Sequence, residues 1–163
     1  MINKENVLIL VVDDDIELCN MLVDFVKSKG YNAEKATGAK EAIKIIKDKR
    51  VYLVLLDIKM PRVDGMEVLH IVKEKQPLAE VIMMTGYATI EDAIISMRNG
   101  AYDFIIKPLN LDEVDVSITG ALERRQGAIE NRNYVKNLER KVRNTSSELV
   151  RKRDEIKKIK EEE

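Results

Sequence analysis

Apolar residues are arranged along the chain in two alternating patterns, short continuous runs and longer runs with helical spacing. The short runs predict strands at residues 7–12, 31–36, 51–56, 80–84 and 102–106. Between them lie segments such as ELCNMLVDFVKSKG, whose apolar residues recur at helical intervals. Strands that alternate with helices form a parallel sheet with helices on both faces. The pattern therefore predicts a three-layer α/β domain of about 120 residues, with five strands and five helices.

Polar residues and glycines indicate where the helices begin and end. Thr89 and Asn110 each precede a helical run and have an acidic residue three positions later, as helix N-caps often do. Gly30 and Gly100 follow the last turns of the first and fourth helical runs, where glycine commonly ends a helix. These local signals set the predicted helix boundaries.

Composition and charge suit one globular domain with an extension, since the chain has 163 residues, 45% hydrophobic and 35% charged. Residues 1–119 carry 15 Lys and Arg against 20 Asp and Glu, whereas residues 120–163 carry 13 against 9. The mixed signs of the second part are typical of a solvated helix and not of a nucleic-acid-binding arm. The apolar run directly before Asp13 has only six residues, too few for a signal sequence or a membrane span, so we expect a cytoplasmic protein that binds no membrane. With Cys19 and His70 the only residues of their types, we expect no internal disulfide and no transition-metal site.

Polar residues stand at the carboxyl ends of four of the five predicted strands. Asp13 and Asp14 follow the first strand, Asp57 the third, Thr85 the fourth and Lys107 the fifth. The carboxyl ends of parallel strands lie at one edge of a sheet, where such folds bind ligands. Three carboxylates close together resist joint ionisation, and a hard divalent cation with oxygen ligands relieves their repulsion. The pattern predicts a Mg²⁺ site, which also suits Mn²⁺.

Each of these residues also has a purely structural interpretation. The three consecutive aspartates that begin at Asp13 are favoured caps for the first helix. Asp57 and Thr85 suit turns, and Lys107 suits a solvated strand end. The joint occurrence of these groups at four strand ends, in this order, favours a functional site.

Four motifs, VVDDD, LLDIKMPRVDG, MMTG and FIIKP, resemble in order and spacing those of the receiver domain of two-component response regulators. The resemblance covers residues 5 to about 122. It implies a flavodoxin-like sheet with strand order 2-1-3-4-5. It also implies that Asp57 accepts a phosphoryl group from the histidine of a partner kinase or phosphotransfer protein.

The same resemblance implies how the metal would be held. Asp14 would bind Mg²⁺ directly, together with Asp57, whereas Asp13 would bind it through water. Lys59 would contribute its backbone carbonyl. Lys59 and Tyr87, as large side chains beside the path of the hydrolytic water, would also shield the acyl phosphate.

Further residues resemble the parts of the family's switch. Lys107 would pair with a phosphoryl oxygen, and Thr85 would donate its hydroxyl to another. Movement of Thr85 would leave space into which Phe104 rotates. The peptide between Lys107 and Pro108 resembles the family's cis peptide, which an X-Pro bond makes accessible.

The helical pattern runs on from Asp112 into a tail with heptad spacing. Its a positions are apolar, at Val135, Val142, Leu149 and Ile156. Two of its four d positions are polar, Thr145 and Lys152, and Gly120 and Gly127 each weaken a helix by about 1 kcal/mol relative to Ala. We therefore expect a marginal homodimer through the tail.

The segment NRNYVKNLERKVRNTSSEL in this tail resembles linker helices that join receivers to output domains. The expected organisation is a receiver domain at residues 1–122 and a helical linker at residues 123–163. A single solvated helix is the alternative for the tail.

Two other function classes deserve comparison. The DDD sequence contains the D-x-D of haloacid-dehalogenase-like phosphatases, which also use an aspartate nucleophile with Mg²⁺. The order of Thr85 and Lys107 favours a non-enzymatic receiver that assists its own phosphorylation and dephosphorylation. A nucleic-acid binder with a basic helix is disfavoured because the tail lacks a dense basic block.

Overall fold

The fold is a parallel sheet with helices on both faces, followed by a long helix. The computed structural model describes residues 2–86 and 89–162. A short 3-10 helix, Lys4–Asn6, comes first. It is followed by β1 (Leu8–Val12), α1 (Ile16–Ser28), β2 (Asn32–Ala36), α2 (Ala39–Asp48), β3 (Leu53–Asp57), α3 (Gly65–Lys75), β4 (Glu80–Thr85), α4 (Ile90–Arg98), β5 (Asp103–Ile106) and α5 (Leu111–Glu162). The predicted alternation of strands and helices is confirmed.

The sheet has the order β2-β1-β3-β4-β5, and every pairing is parallel. This confirms the flavodoxin-like fold class. The order places β1 and β3 side by side, with Val12 opposite Leu56. The residues that follow these two strands therefore lie next to each other at the carboxyl edge.

Two apolar cores, one on each face of the sheet, explain the uninterrupted apolar runs of the central strands. Val54 and Leu56 of β3 pack on the face covered by α2 and α3. Leu53 and Leu55 pack on the opposite face, against α1 and the first part of α5. A strand buried on both faces has no position for a solvated side chain, so its residues are apolar in succession.

The predicted helix boundaries are confirmed by their hydrogen bonds and backbone angles. Thr89 Oγ1 accepts a hydrogen bond from the Asp92 amide at 3.0 Å, and Asn110 Oδ1 accepts one from the Asp112 amide at 2.9 Å. Gly30 and Gly100 adopt φ of 96° and 95°, a region that favours glycine.

The last helix, α5, belongs to two compact units, one that ends at Gln126 and one that begins at Gly127. Its buried residues lie in the first unit and include Val114, Ile118 and Leu122. From residue 130 to residue 162 every residue is exposed. Within the described ranges, no helix combines the length and the apolar character that a membrane span requires.

Gly120 corrects part of the expectation for the tail. A side chain at this position would overlap the hydroxyl of Tyr102, so glycine lets α5 approach the start of β5. Gly127 has open space around it. Gly120 therefore meets a packing requirement of the first unit, whereas Gly127 only weakens the helix.

Candidate functional site

The polar residues predicted at the strand ends come together at the carboxyl edge of the sheet. Asp13 follows β1, Asp57 is the last residue of β3, and Thr85 is the last residue of β4. Their exposed fractions are 0%, 4% and 1%. Lys107 follows β5, and its amide donates to the Thr85 carbonyl at 2.8 Å. Asp14 is exposed at the rim.

Three carboxylates form the acidic part of this site. One oxygen from each of Asp13, Asp14 and Asp57 lies within 4.8 Å of the other two. The donors are all carboxylate oxygens, which hard divalent cations prefer. This arrangement fits a metal ion of the Mg²⁺ or Mn²⁺ type.

Asp15, the third consecutive aspartate, has a different role. Its Oδ1 accepts a hydrogen bond from the Leu18 amide at 3.2 Å and caps α1. The Asp15 amide in turn donates to Asp13 Oδ1 at 2.9 Å. The capping interpretation is thus correct for Asp15, while Asp13 and Asp14 belong to the acidic site.

Lys107 provides the positive charge of the site. Its Nζ lies 2.6 Å from Asp13 Oδ2 and 3.7 Å from Asp57 Oδ1. The side chain therefore bridges the two buried carboxylates. The peptide between Lys107 and Pro108 is cis, as predicted.

Asp57 is electrostatically unfavourable in its charged form. Burial and, next, the neighbouring Asp13 raise the pKa of its carboxyl from 3.8 to about 6. Lys107 and a hydrogen bond from the Lys59 backbone lower the pKa but do not offset these effects. Any added positive charge at this place, such as a divalent cation, would stabilise the carboxylate.

The loop after β3 is held against the strand by Gly65, which the sequence analysis did not single out. The Gly65 amide donates to the Ile58 carbonyl at 2.7 Å. A Cβ at Gly65 would overlap the Asp57 carbonyl oxygen and lie 2.8 Å from the Ile58 Cα. In the sequence, Gly65 is the last residue of the motif LLDIKMPRVDG and directly follows Asp64, the N-cap of α3.

Lys59 and Tyr87 were expected to shield the site. The Lys59 side chain is exposed, and its backbone forms an isolated antiparallel bridge with Asp64. Tyr87 lies outside the described residues. The metal-binding role of the Lys59 carbonyl stays a prediction.

Cys19 is a buried hydrogen-bond donor to the backbone of Asp13. Its Sγ donates to the Asp13 carbonyl at 3.2 Å, and both residues are buried. Burial and the charge of Asp13 raise the pKa of the thiol to about 11. Cys19 therefore stays protonated and acts as a packed donor, in line with its expected structural role.

Phe104 lies on β5 opposite Met83 of β4, close in the chain to Lys107. It is partly buried and packs against the core on the α2 and α3 face. Thr85 is two residues beyond Met83 on the same strand. The switch role of Phe104 and Thr85 stays a prediction.

Comparison with known proteins agrees with this geometry. A family model described as the response regulator receiver domain matches residues 9–119. The transcriptional regulatory protein ZraR of Escherichia coli (strain K12) is 36% identical over 118 residues, which cover 72% of this chain and 27% of ZraR. The chain thus spans about a quarter of the length of the curated relatives it matches.

Solved structures are similar as well. The CheY-like response regulator receiver domain protein from Methanospirillum hungatei JF-1 has 32% sequence identity and a TM-score of 0.72, covering 75% of this chain and 98% of its own. The beryllofluoride-activated NtrC4 receiver domain dimer has 31% identity and a TM-score of 0.69, covering 72% and 98%. These similarities do not support the haloacid-dehalogenase alternative.

Proposed function

The chain belongs to the response regulator receiver domain family, and we propose that it is a switch in which Asp57 accepts a phosphoryl group from a histidine kinase or phosphotransfer protein. The observation that carries the proposal is the convergence of Asp13, Asp14 and Asp57 within 4.8 Å, with Lys107 bridging two of them. Phosphoryl transfer needs little more from a protein than position and charge neutralisation.

The acidic site would hold Mg²⁺, or Mn²⁺ in its place. Asp14 and Asp57 would be direct ligands, Asp13 a ligand through water, and the Lys59 carbonyl a further oxygen donor. A cation bound there neutralises carboxylate charge and the charge that develops on the phosphoryl oxygens.

Asp57 is the proposed nucleophile. Its carboxylate oxygen forms the bond to phosphorus while the bond from phosphorus to the donor histidine nitrogen breaks, and the electron pair of that bond leaves with the imidazole. Although the pKa of Asp57 is raised, it reaches only about 6. The reactive carboxylate therefore predominates at neutral pH even before a cation binds.

Lys107 and Thr85 are the proposed partners of the new phosphoryl oxygens. Lys107 Nζ lies 3.7 Å from Asp57 Oδ1, near enough to transfer its hydrogen bond from Asp13 to a phosphoryl oxygen. Thr85 offers a hydroxyl from the end of β4. The ammonium of Lys107, already beside Asp57, and the hydroxyl of Thr85, once it moves towards the phosphoryl group, would both stabilise the charged product.

Phe104 would report the state of the site to the surface. When Thr85 moves towards the phosphoryl group, Phe104 would rotate inward on the neighbouring strand. The nearby surface exposes apolar side chains on α4, β5 and α5: Ile94 at 46%, Ile95 at 47%, Ile106 at 58% and Val116 at 74%. A shift from one packing to another of similar energy would change how this surface binds a partner.

The tail is the proposed transmitter. We divide the chain into a receiver domain, residues 1–122, and a helical linker, residues 123–163, whose apolar a positions would form a weak coiled coil between two copies. The exposure of Val142 at 64%, Leu149 at 63% and Ile156 at 55% leaves these side chains available for a second copy.

In this role the chain is a signalling domain and not an enzyme with a separate substrate, although it assists its own phosphorylation and dephosphorylation. We propose that it acts in the cytoplasm. It binds no membrane, and this chain makes no direct contact with nucleic acid.

Phosphoryl labelling tests the proposal. Purified protein is incubated with a phosphorylated histidine donor or a small phosphodonor, with Mg²⁺ or with a chelator. Wild type should be labelled only with the cation, and Asp14→Ala should lose labelling because it removes a ligand. Asp24→Asn, an exposed aspartate of α1, is the matched control and should be labelled normally. Equal labelling of wild type in the chelator would contradict the metal-dependent mechanism.

A further inference from the structure

Three residues form a row at the amino edge of the sheet, opposite to the acidic site. They are Tyr52 just before β3, Glu80 at the start of β4, and Tyr102 just before β5. The Glu80 amide donates to the Tyr52 carbonyl at 3.0 Å, and the Tyr102 amide donates to the Val81 carbonyl at 2.7 Å. The row therefore follows the order of the three adjacent strands.

Two consecutive arginines of α5 bind this row. Arg124 donates from Nε to Glu80 Oε1 at 3.0 Å and from Nη2 to Oε2 at 2.5 Å, and its guanidinium lies 4.9 Å from the Tyr102 ring centre. The Arg125 guanidinium lies 3.7 Å from the Tyr52 ring centre. Because neighbouring helix residues project about 100° apart, two such contacts fix the rotation of the helix as well as its position.

Gly120 adds a third constraint one turn earlier. The Tyr102 hydroxyl occupies the space that a side chain at Gly120 would need. Tyr102 thus contacts both Gly120 and Arg124, which share one face of the helix. A shift of Tyr102 along the helix would disturb one contact or the other.

Stability alone does not explain why a buried position of α5 is occupied by an arginine, Arg125. It is 5% exposed, and within the described part of the chain its Nε has no hydrogen-bond partner. Burial, and to a smaller extent the nearby Arg50, lower the pKa of the guanidinium, whereas Tyr52 and Glu80 favour its charged form. A well-packed apolar side chain would avoid this desolvation.

The strands that carry this row also carry the functional site. β4 begins at Glu80 and ends at Thr85, and β5 connects Tyr102 to Lys107. A small displacement of either strand at its carboxyl end would therefore move Glu80 or Tyr102, which contact Arg124 at the other end of the same strands.

We propose that Arg124 and Arg125, with Tyr52, Glu80 and Tyr102, form a clamp that fixes the rotation of the part of α5 that ends at Gln126 and makes this part respond to β4 and β5. The response to phosphorylation rests on the proposed function. Arg124 and Arg125 are positioning residues, since they act on the helix and lie at the other edge of the sheet from Asp57.

The first test needs no phosphoryl group. Amide hydrogen exchange is measured on the full chain for residues 118–126 and, as a folding check, for β4. Arg124→Gln and Arg125→Gln should each accelerate exchange at residues 118–126 by about ten-fold and leave β4 protected. Arg132→Gln, in the exposed tail, is the control and should change neither segment. Unchanged exchange in both clamp variants overturns the clamp.

The second test adds Mg²⁺ and beryllofluoride as a phosphoryl mimic. In wild type, exchange should change at residues 57–64 and by about three-fold at residues 118–126. The Arg124→Gln, Arg125→Gln double variant should keep the first change and lose the second. A wild-type response at residues 118–126 that survives in the double variant, or a response at 57–64 alone in wild type, overturns the coupling. No response at 57–64 in wild type contradicts the proposed function instead, and the clamp is then decided by the first test.

Discussion

The charge of Asp57 should destabilise the folded protein when no cation is bound. Folding raises the pKa of this carboxyl from 3.8 to about 6. A pKa difference of one unit corresponds to about 1.36 kcal/mol between the two protonation states. The charged form of Asp57 therefore lowers the free energy of unfolding by about 3 kcal/mol at most. Asn resembles the protonated carboxyl in shape and charge. Asp57→Asn should therefore be more stable than wild type by about 1–3 kcal/mol at pH 8.

The pH dependence of this difference follows from the sign of the shift. Between pH 4 and pH 6 the folded state binds the Asp57 proton more tightly than the unfolded state, so wild type loses stability relative to the variant as pH rises. The difference should be nearly absent at pH 4 and complete above pH 7. Mg²⁺ should reduce it at pH 8, because the cation stabilises the wild-type carboxylate.

Urea unfolding followed by circular dichroism, in chelator at pH 4, 6 and 8, measures these stabilities. Asp24→Asn is the control and should stay within about 0.5 kcal/mol of wild type, because its carboxylate is exposed. If Asp57→Asn were no more stable than wild type at pH 8, or if its advantage were the same at pH 4, the electrostatic account of the site would be wrong.

Three further predictions concern the loop, the phosphate and the tail. Gly65→Ala should lower the free energy of unfolding by about 1–3 kcal/mol and slow labelling of Asp57, because the added Cβ meets backbone atoms that cannot rotate away. Gly127 has open space around it, so Gly127→Ala should instead increase the helicity measured by circular dichroism. Lys59→Ala should shorten the phosphate lifetime in a decay assay by admitting water, and an unchanged decay rate would refute this shielding. Sedimentation should show weak dimers for the full chain and monomers for a chain that ends at Gln126; monomers in both cases at micromolar concentration would exclude a tail dimer.

Much of the fold was predictable because its signals are local. The apolar runs of β1 and β3 reflect burial on both faces, and the caps Thr89 and Asn110 act on amides two or three residues away. The site was predictable for a related reason. Once strands are known to be parallel, residues such as Asp57 and Lys107 at their carboxyl ends must lie at one edge.

Other features depend on contacts between segments distant in sequence. Gly65 is needed because α3 begins against the Asp57 carbonyl, and Gly120 because Tyr102 lies over it. Arg124 and Arg125 lie in a charged stretch typical of a solvated helix surface, yet Arg124 binds Glu80, 44 positions earlier, and Arg125 contacts the ring of Tyr52 at the sheet edge. Periodicity describes which face of a helix is apolar, but it does not indicate which charged residues find buried partners.

The central claim is that Asp57, and no other carboxylate, accepts the phosphoryl group. The most direct measurement is mass spectrometry of the protein after incubation with Mg²⁺ and a phosphodonor, with the modified residue located by fragmentation. Wild type should gain one phosphoryl group, found on Asp57 alone, and Asp57→Asn should gain none. Labelling of Asp57→Asn at the wild-type level, or a wild-type modification located on Asp13 or Asp14, would contradict the account.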